Sequence, residues 1–383
     1  MLFRSDNELD YGMEILGFKT DFAYKNILNQ SITQQENTSE IAVFAKYRIN
    51  FSNLILEPGI RFQYYASLAE PSVEPRFGMK YKISDKLRLK ASGGLYSQNL
   101  ISAQSNRDVV NLFTGFISGP ENIQKEFDGK EVDTRLQKSA HLVGGFEYDF
   151  NNRLTLNIEG YYKNNYMTTL MNRNKIFEDS YEYSRVPDIL KKDFVVEKGK
   201  AYGIDLLLKY DYRNIYLWMV YSVGMVKNTA EFINNENEVT IREYYPYFDR
   251  RHNLNLVGTY SFGEDLVWEF SARWNYGSGF PFTKSKGYYE NIPINDIHFN
   301  IPSSSGQFGV IYSDINTGRL PDYHRLDLTI KRMWFFGANS KLEAAFSITN
   351  VYDRNNIFYF DRIRHDRVDQ LPIMPSIGIN FSF

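Results

Sequence analysis

Five histidines, His141, His252, His298, His324 and His365, are the side chains best suited to hold a metal or move a proton. Their spacing supports neither task, since no two stand at the separation of a His-Glu-x-x-His pair. Gly277-Ser278-Gly279 invites comparison with a phosphate-cradling loop, yet no third glycine follows at the right place and no helical pattern starts there. The acidic, Asn-rich run from Glu231 to Glu238 lacks the spaced ligands of a calcium loop, so a solvated loop is expected. Cysteine is absent, which excludes thiolate nucleophiles, disulfides, zinc–cysteine sites and iron–sulfur ligation. These residues predict no enzyme, no catalytic residue, no metal site and no cofactor.

What remains is recognition chemistry. Tyr244, Tyr245, Tyr247, Phe282, Tyr288, Tyr289, Tyr359, Arg362, Arg364, His365 and Arg367 lie in stretches that read as long loops. Aromatic rings beside guanidinium groups could stack on sugar rings or on planar chelating ligands. The competing reading is that Tyr- and Asn-rich loops pack on one another. In 351–372, Arg354, Arg362, Arg364 and Arg367 face Asp353, Asp361, Asp366 and Asp369 in number, which predicts loop-to-loop ion pairs more than capture of a charged ligand. Over the whole chain 44 Lys and Arg meet 46 Asp and Glu, a net charge of -2. That balance argues against a nucleic-acid partner.

The elements that would carry these loops read as strands. Leu154, Leu156, Ile158, Gly160 and Tyr162 alternate with polar neighbours, as do Trp268, Phe270, Ala272 and Trp274, and Ile377, Ile379, Phe381 and Phe383. Alternation of this kind gives one apolar and one polar face. Some 14 such segments are expected, near 14–24, 39–50, 53–64, 73–83, 86–96, 139–150, 153–164, 200–211, 214–225, 249–262, 265–275, 322–335, 340–350 and 373–383. Short Asn-, Asp- and Gly-bearing turns alternate with long connections at 97–138, 165–199, 226–248, 276–321 and 351–372. An up-and-down meander with turns at one end and long loops at the other gives that alternation. The pattern is that of an all-β, transmembrane, antiparallel up-and-down β-barrel, which must pair every backbone group inside lipid. No run is long and apolar enough for a spanning helix.

Aromatics support the same architecture. The chain holds 4 Trp, 29 Tyr and 29 Phe, 16% of its residues, far more than a soluble domain needs. With the last strand running toward the short-turn end, Phe146, Tyr148, Phe150, Tyr260, Phe262, Trp334, Phe335, Phe336, Phe381 and Phe383 form one girdle. Tyr161, Tyr162, Tyr166, Trp274 and Tyr276 form the other. Glu57, Arg61, Glu159, Asp205, Lys209, Glu269, Arg273, Asp327, Lys331 and Glu343 then face the lumen.

The last third carries a resemblance. Asn275-Tyr276-Gly277-Ser278-Gly279-Phe280-Pro281-Phe282-Thr283, then Leu320-Pro321-Asp322-Tyr323-His324-Arg325-Leu326-Asp327-Leu328, then Ser347-Ile348-Thr349-Asn350-Val351-Tyr352-Asp353-Arg354-Asn355-Asn356 and a terminal Phe383 stand in order. Together they resemble the closing strands of TonB-dependent outer-membrane receptors, particularly those typical of Bacteroidetes. Tyr11 to Phe22 is similar to a mid-barrel strand of that group.

The resemblance implies a 22-stranded barrel around an N-terminal plug, of which this chain would hold the last 14 strands. Residues 1–383 are then expected to be a partial barrel domain, with plug, TonB box and signal peptide absent and the 26–40 stretch shortened. It implies a bacterial outer-membrane receptor for a scarce nutrient such as a siderophore, cobalamin, an oligosaccharide or a peptide. TonB would act only through the missing plug. Other implied partners are outer-membrane lipid, a surface lipoprotein and the barrel-assembly machinery, which would read Phe381 and Phe383 on the last strand. Two alternatives stand beside this: a free-standing 14-stranded passive channel, and an outer-membrane scaffold for a surface lipoprotein.

Overall fold

The computed structural model of this protein describes residues 7–25, 30–102, 115–172, 174–234, 236, 238–291, 307–337, 340–361 and 364–383. Fourteen strands follow one another in a single antiparallel sheet, each pairing with the next, and a fifteenth, Val239–Tyr244, joins the sheet by pairing with Asn228–Ile233. The fourteen are β1 (Glu8–Lys25), β2 (Ser31–Phe51), β3 (Leu54–Tyr65), β4 (Glu70–Lys82), β5 (Leu87–Gln98), β6 (Gln137–Asn151) and β7 (Leu154–Met171). Then come β8 (Phe194–Tyr212), β9 (Ile215–Ile233), β10 (His252–Phe262), β11 (Trp268–Gly277), β12 (Tyr323–Phe336), β13 (Ser340–Thr349) and β14 (Met374–Ser382). Each of the 14 expected segments falls on one of them. Among the described residues, no pairing joins β1 to β14. No helix in these residues is long and apolar enough to cross a membrane.

Several strands outrun the alternating patterns that announced them. β2 has 21 residues and β8 and β9 have 19 each, or about 60–70 Å at ~3.3 Å per residue. A tilted strand crosses a bilayer in about 9–11 residues. The added lengths lie at the long-loop end. There Ser31–Glu40 is polar on both faces but for Ile32, so period two is silent. Ladder pairing with β1, from Lys25↔Ser31 to Leu16↔Glu40, carries the strand because it satisfies each backbone group. This also accounts for the short connection after β1: the chain rises as a tall hairpin and needs no long loop. The β3–β4 connection is short too, so the alternation of turn and loop begins only after β5.

The two faces differ in chemistry. On one lie the ion pairs Arg61–Glu14 at 2.7 Å, Lys90–Glu159 at 2.5 Å and Lys331–Glu269 at 3.0 Å. Arg88 on this face meets both Glu147 and Asp149. The other face carries registered apolar rows, such as Phe270↔Ile330↔Phe346 across β11, β12 and β13. Those three side chains are 37–42% exposed, as expected of a surface that meets hydrocarbon.

The short-turn girdle assembles apart from Phe335, which shares the charged face with Lys331. Tyr148 meets Phe150 edge-on at 4.8 Å, and Tyr260, Phe262 and Trp268 stack in series at 5.7 and 6.1 Å. Tyr161 departs from its expected place. It sits on the charged face, opposite Tyr162, because neighbours along a strand point to opposite sides. Its hydroxyl lies where a Cβ on Gly203 or Gly224 would stand, 2.7 and 2.5 Å from those positions. Gly203 and Gly224 are register partners, so the ring covers a hole that two missing side chains leave.

A candidate functional site at the long-loop end

The described parts of the long connections are folded, each in its own way. Leu100–Ser102 pairs with Phe116–Ser118, Pro281–Phe282 with Gly318–Arg319, Ser285–Asn291 with Gln307–Tyr312, and Ile357–Asp361 with Asp366–Asp369. Phe116–Ser118 docks on the β1–β2 hairpin: Ser118 Oγ lies 3.0 Å from Thr20 Oγ1 and 2.7 Å from Thr38 Oγ1. The Gln34 amide donates to the Ser118 and Gly119 carbonyls at 2.8 and 2.6 Å. On its far side the same segment joins an apolar cluster of Ile32, Ile101, Ile117, Met171 and Phe194. One loop thus links the first hairpin to the outer ends of β7 and β8.

The loops are also tied to one another. Gln124 Nε2 donates to Glu231 at 2.6 Å, Lys192 Nζ to Asn122 Oδ1 at 3.0 Å, and Asn316 Nδ2 to the Tyr245 carbonyl at 2.8 Å. Two buried carboxylates anchor this lattice. Asp249, with no exposed side-chain surface, accepts the Val226 amide at 2.8 Å, Arg251 Nε at 2.8 Å and Arg319 Nη2 at 2.6 Å. The Tyr245 ring lies 4.4 Å from the Arg251 guanidinium. Glu197 accepts the Tyr244 hydroxyl at 2.7 Å and Asn228 Nδ2 at 3.0 Å. Burial pushes the Glu197 carboxyl up to about 7 against those two donors, which pull it down.

The loop residues expected to meet a ligand divide accordingly. Tyr244 is buried on Glu197, and Tyr245 is enclosed by arginines. The Tyr247 ring meets Phe248 edge-on at 5.1 Å, and burial raises its hydroxyl pKa. Phe282 lies against Gly318, and the Tyr289 ring against Gly309. Tyr288 donates to or accepts from His365 Nε2 at 3.2 Å, which brings the 276–321 and 351–372 connections together. Tyr359 stands in a hairpin opposite Val368. The Arg364 amide donates to Asp361 Oδ1 at 3.0 Å, and Arg367 pairs with Asp369 at 2.6 Å. Arg362 and His298 lie outside the described residues. The Arg367–Asp369 pair joins residues of one loop, where pairs between loops were expected: strand neighbours two apart on one face are closer than any second loop.

Sequence reasoning passed over Glu197, Asp249, Arg251 and Arg319. The one available signal was the dense run Tyr247-Phe248-Asp249-Arg250-Arg251-His252 at the start of β10. Among the described residues no group of His, Asp and Glu is arranged to hold a metal ion. The arrangement is a rigid, hydrogen-bonded mouth over a charge-lined face: it can bind and orient a solute.

The family model "TonB dependent receptor-like, beta-barrel" matches residues 3–351. Among solved structures, a mutant of the ferric enterobactin receptor PfeA from Pseudomonas aeruginosa is 13% identical, with a TM-score of 0.60. The alignment covers 100% of this chain and 52% of that one. The unliganded ferric citrate transporter FecA is 14% identical with a TM-score of 0.55, covering 98% and 51%. The outer-membrane transporter YddB from Escherichia coli is 13% identical with a TM-score of 0.53, covering 98% and 50%. This chain thus spans about half the length of those structures. No curated protein matches it.

Proposed function

This chain belongs to the TonB-dependent receptor β-barrel family, and we propose that it forms part of the wall and mouth of a nutrient receptor. As a member of that family it is a β-barrel protein of the bacterial outer membrane. The apolar face of the sheet then meets lipid and the charged face lines the lumen. The cargo in this reading is a scarce nutrient, a siderophore, cobalamin, an oligosaccharide or a peptide, taken up without chemical change.

One observation carries the reading: the mouth. A passive pore has no use for five connections locked together over the lumen, whereas a receptor needs preformed surfaces to hold a solute before import. Energy from TonB, transmitted by a plug, drives passage. We infer further that residues 1–383 form one barrel domain, completed by strands pairing with the edges of β1 and β14, because lipid does not tolerate unpaired backbone there. The same open edges count against a free-standing 14-stranded channel.

Uptake by cells with and without the gene tests this, using labelled ferric siderophore, cobalamin, oligosaccharide and peptide. Accumulation of one class that stops with a protonophore supports the reading. Protonophore-insensitive flux, with steady conductance from the purified protein, replaces it with the passive channel. A co-purifying surface lipoprotein without any accumulation would leave the scaffold.

A further inference from the structure

Near the short-turn end, one charge stands on the lipid-facing side without a counter-ion. Arg332 on β12 is in register with Trp268 on β11 and Ala344 on β13. The adjacent Lys331 points the other way and meets Glu269 and Glu343 at 3.0 and 3.9 Å. Among the described residues no carboxylate pairs with Arg332. Its guanidinium carbon lies 4.9 Å from the ring centroids of both Trp268 and Trp334. Its Nε is buried without a hydrogen-bond partner.

Position explains how a charge survives there. An arginine on the lipid face is costly at the midplane and costs little near the interface. Arg332 stands five residues before Gly337 in the turn after β12, and tryptophans mark the headgroup level. The two rings desolvate the guanidinium faces and gain cation–π energy, which leaves the N–H edges as its donors. That planar fork suits two oxygens of a phosphate better than water. Ala344 offers only a methyl group across the register, so β13 does not cover it. Directly above runs Phe270↔Ile330↔Phe346, and above that Ala272↔Leu328↔Ile348. This is an apolar track leading from the fork toward the membrane centre.

Short turns of such barrels face the periplasm, and we propose that Arg332, held between Trp268 and Trp334, binds the phosphate of an inner-leaflet phospholipid whose acyl chain lies along Phe270, Ile330 and Phe346. The inference rests on the outer-membrane assignment and is independent of cargo and of TonB. Basic groups at a membrane surface attract anionic lipid, and the fork adds geometric selectivity.

Native mass spectrometry of the protein extracted in mild detergent tests it, with phosphatidylglycerol as the probe. Wild type should hold one phosphatidylglycerol about tenfold more tightly than Arg332→Met does. Arg332→Lys should fall between, and Trp268→Leu should weaken binding severalfold. A phosphate-free glycolipid of the same chain length should bind both proteins equally weakly, and millimolar inorganic phosphate should not displace the lipid. Unchanged phosphatidylglycerol binding in Arg332→Met overturns the proposal, as does equal binding of the glycolipid to wild type. Displacement by inorganic phosphate would make this a free-anion site and also overturns it. Should Arg332→Met fail to give the folded band on unheated gels, the comparison of wild type with Arg332→Lys and Trp268→Leu decides.

Discussion

Glu197 makes the stability of the mouth depend on pH in a direction opposite to most carboxylates. It stands near the outer end of β8, beyond the roughly 9–11 residues that cross the bilayer above Tyr212. Its folded pKa is raised from 4.5 to about 7 by burial, while in the opened mouth it returns to the ordinary value. A raised carboxyl stabilises the closed form below about pH 4.5, and that contribution fades as pH rises through about 7. Between pH 5.5 and 8 the loss is about 2 kcal/mol, from RT of 0.59 kcal/mol and those two pKa values. The perturbation is Glu197→Gln, which retains the Tyr244 and Asn228 partners and cannot ionise. The assay is amide exchange of 194–200 and 239–244, corrected for the intrinsic pH dependence of exchange. Wild type should lose about thirtyfold of its protection over that range, and Glu197→Gln should lose almost none. Equal slopes in the two proteins would refute the reasoning, as would protection that grows with pH.

Three further outcomes are expected. Asp249→Ala strips Arg251 and Arg319 of their shared carboxylate. Breaking a buried pair costs about 3–5 kcal/mol, and because both arginines are partly exposed the loss in urea unfolding should be about 2–3 kcal/mol, with new protease cuts in 276–321. Gly203→Val drives a side chain into the Val223 carbonyl and the Tyr161 hydroxyl, so the heat-modifiable folded band should be lost at a temperature reflecting about 1–3 kcal/mol of overpacking. Truncation of the Phe383 ring, 95% exposed and stacked on Phe381 at 6.2 Å, should leave the stability of assembled protein unchanged. It should instead lower the amount assembled in vivo several-fold, the signature of a residue read during insertion.

The spanning half of the molecule was legible in the sequence for a physical reason. A lipid-facing strand must present apolar groups on alternate residues, so the membrane writes period two into the chain, and β10 to β14 show it plainly. Above the bilayer the constraint is lifted. Ser31–Glu40 and the outer half of β8 are wet or packed on loops, and ladder pairing alone extends them, so no alternation betrays their length. The long loops were visible as loops. Their aromatics read as exposed binding groups, whereas Tyr244 and Tyr245 spend their rings and hydroxyls on Glu197, Arg251 and Arg319. Which polar residue is buried depends on contacts across about 50 to 100 positions, such as Glu197 with Tyr244 or Gln124 with Glu231, and spacing along the chain does not encode them.

For the proposed receptor, the same division separates the groups that hold the mouth from those able to meet a solute. A side chain already satisfied inside the mouth contributes rigidity, because moving it to meet a ligand would leave a buried partner unpaired at about 1–3 kcal/mol. Tyr244, Tyr245 and Asp249 are held in that way. Tyr288 and His365 differ: both are exposed, and their 3.2 Å contact can be exchanged for a ligand contact at little cost. Substituting Tyr288 and His365 together by alanine should therefore change unfolding by less than about 0.5 kcal/mol, the usual range for surface changes, while lowering cargo retention on whole cells. Loss of stability with unchanged retention would place recognition deeper, on the charged wall around Lys90, Glu57 and Glu159, where a cavity of about 290 Å³ opens.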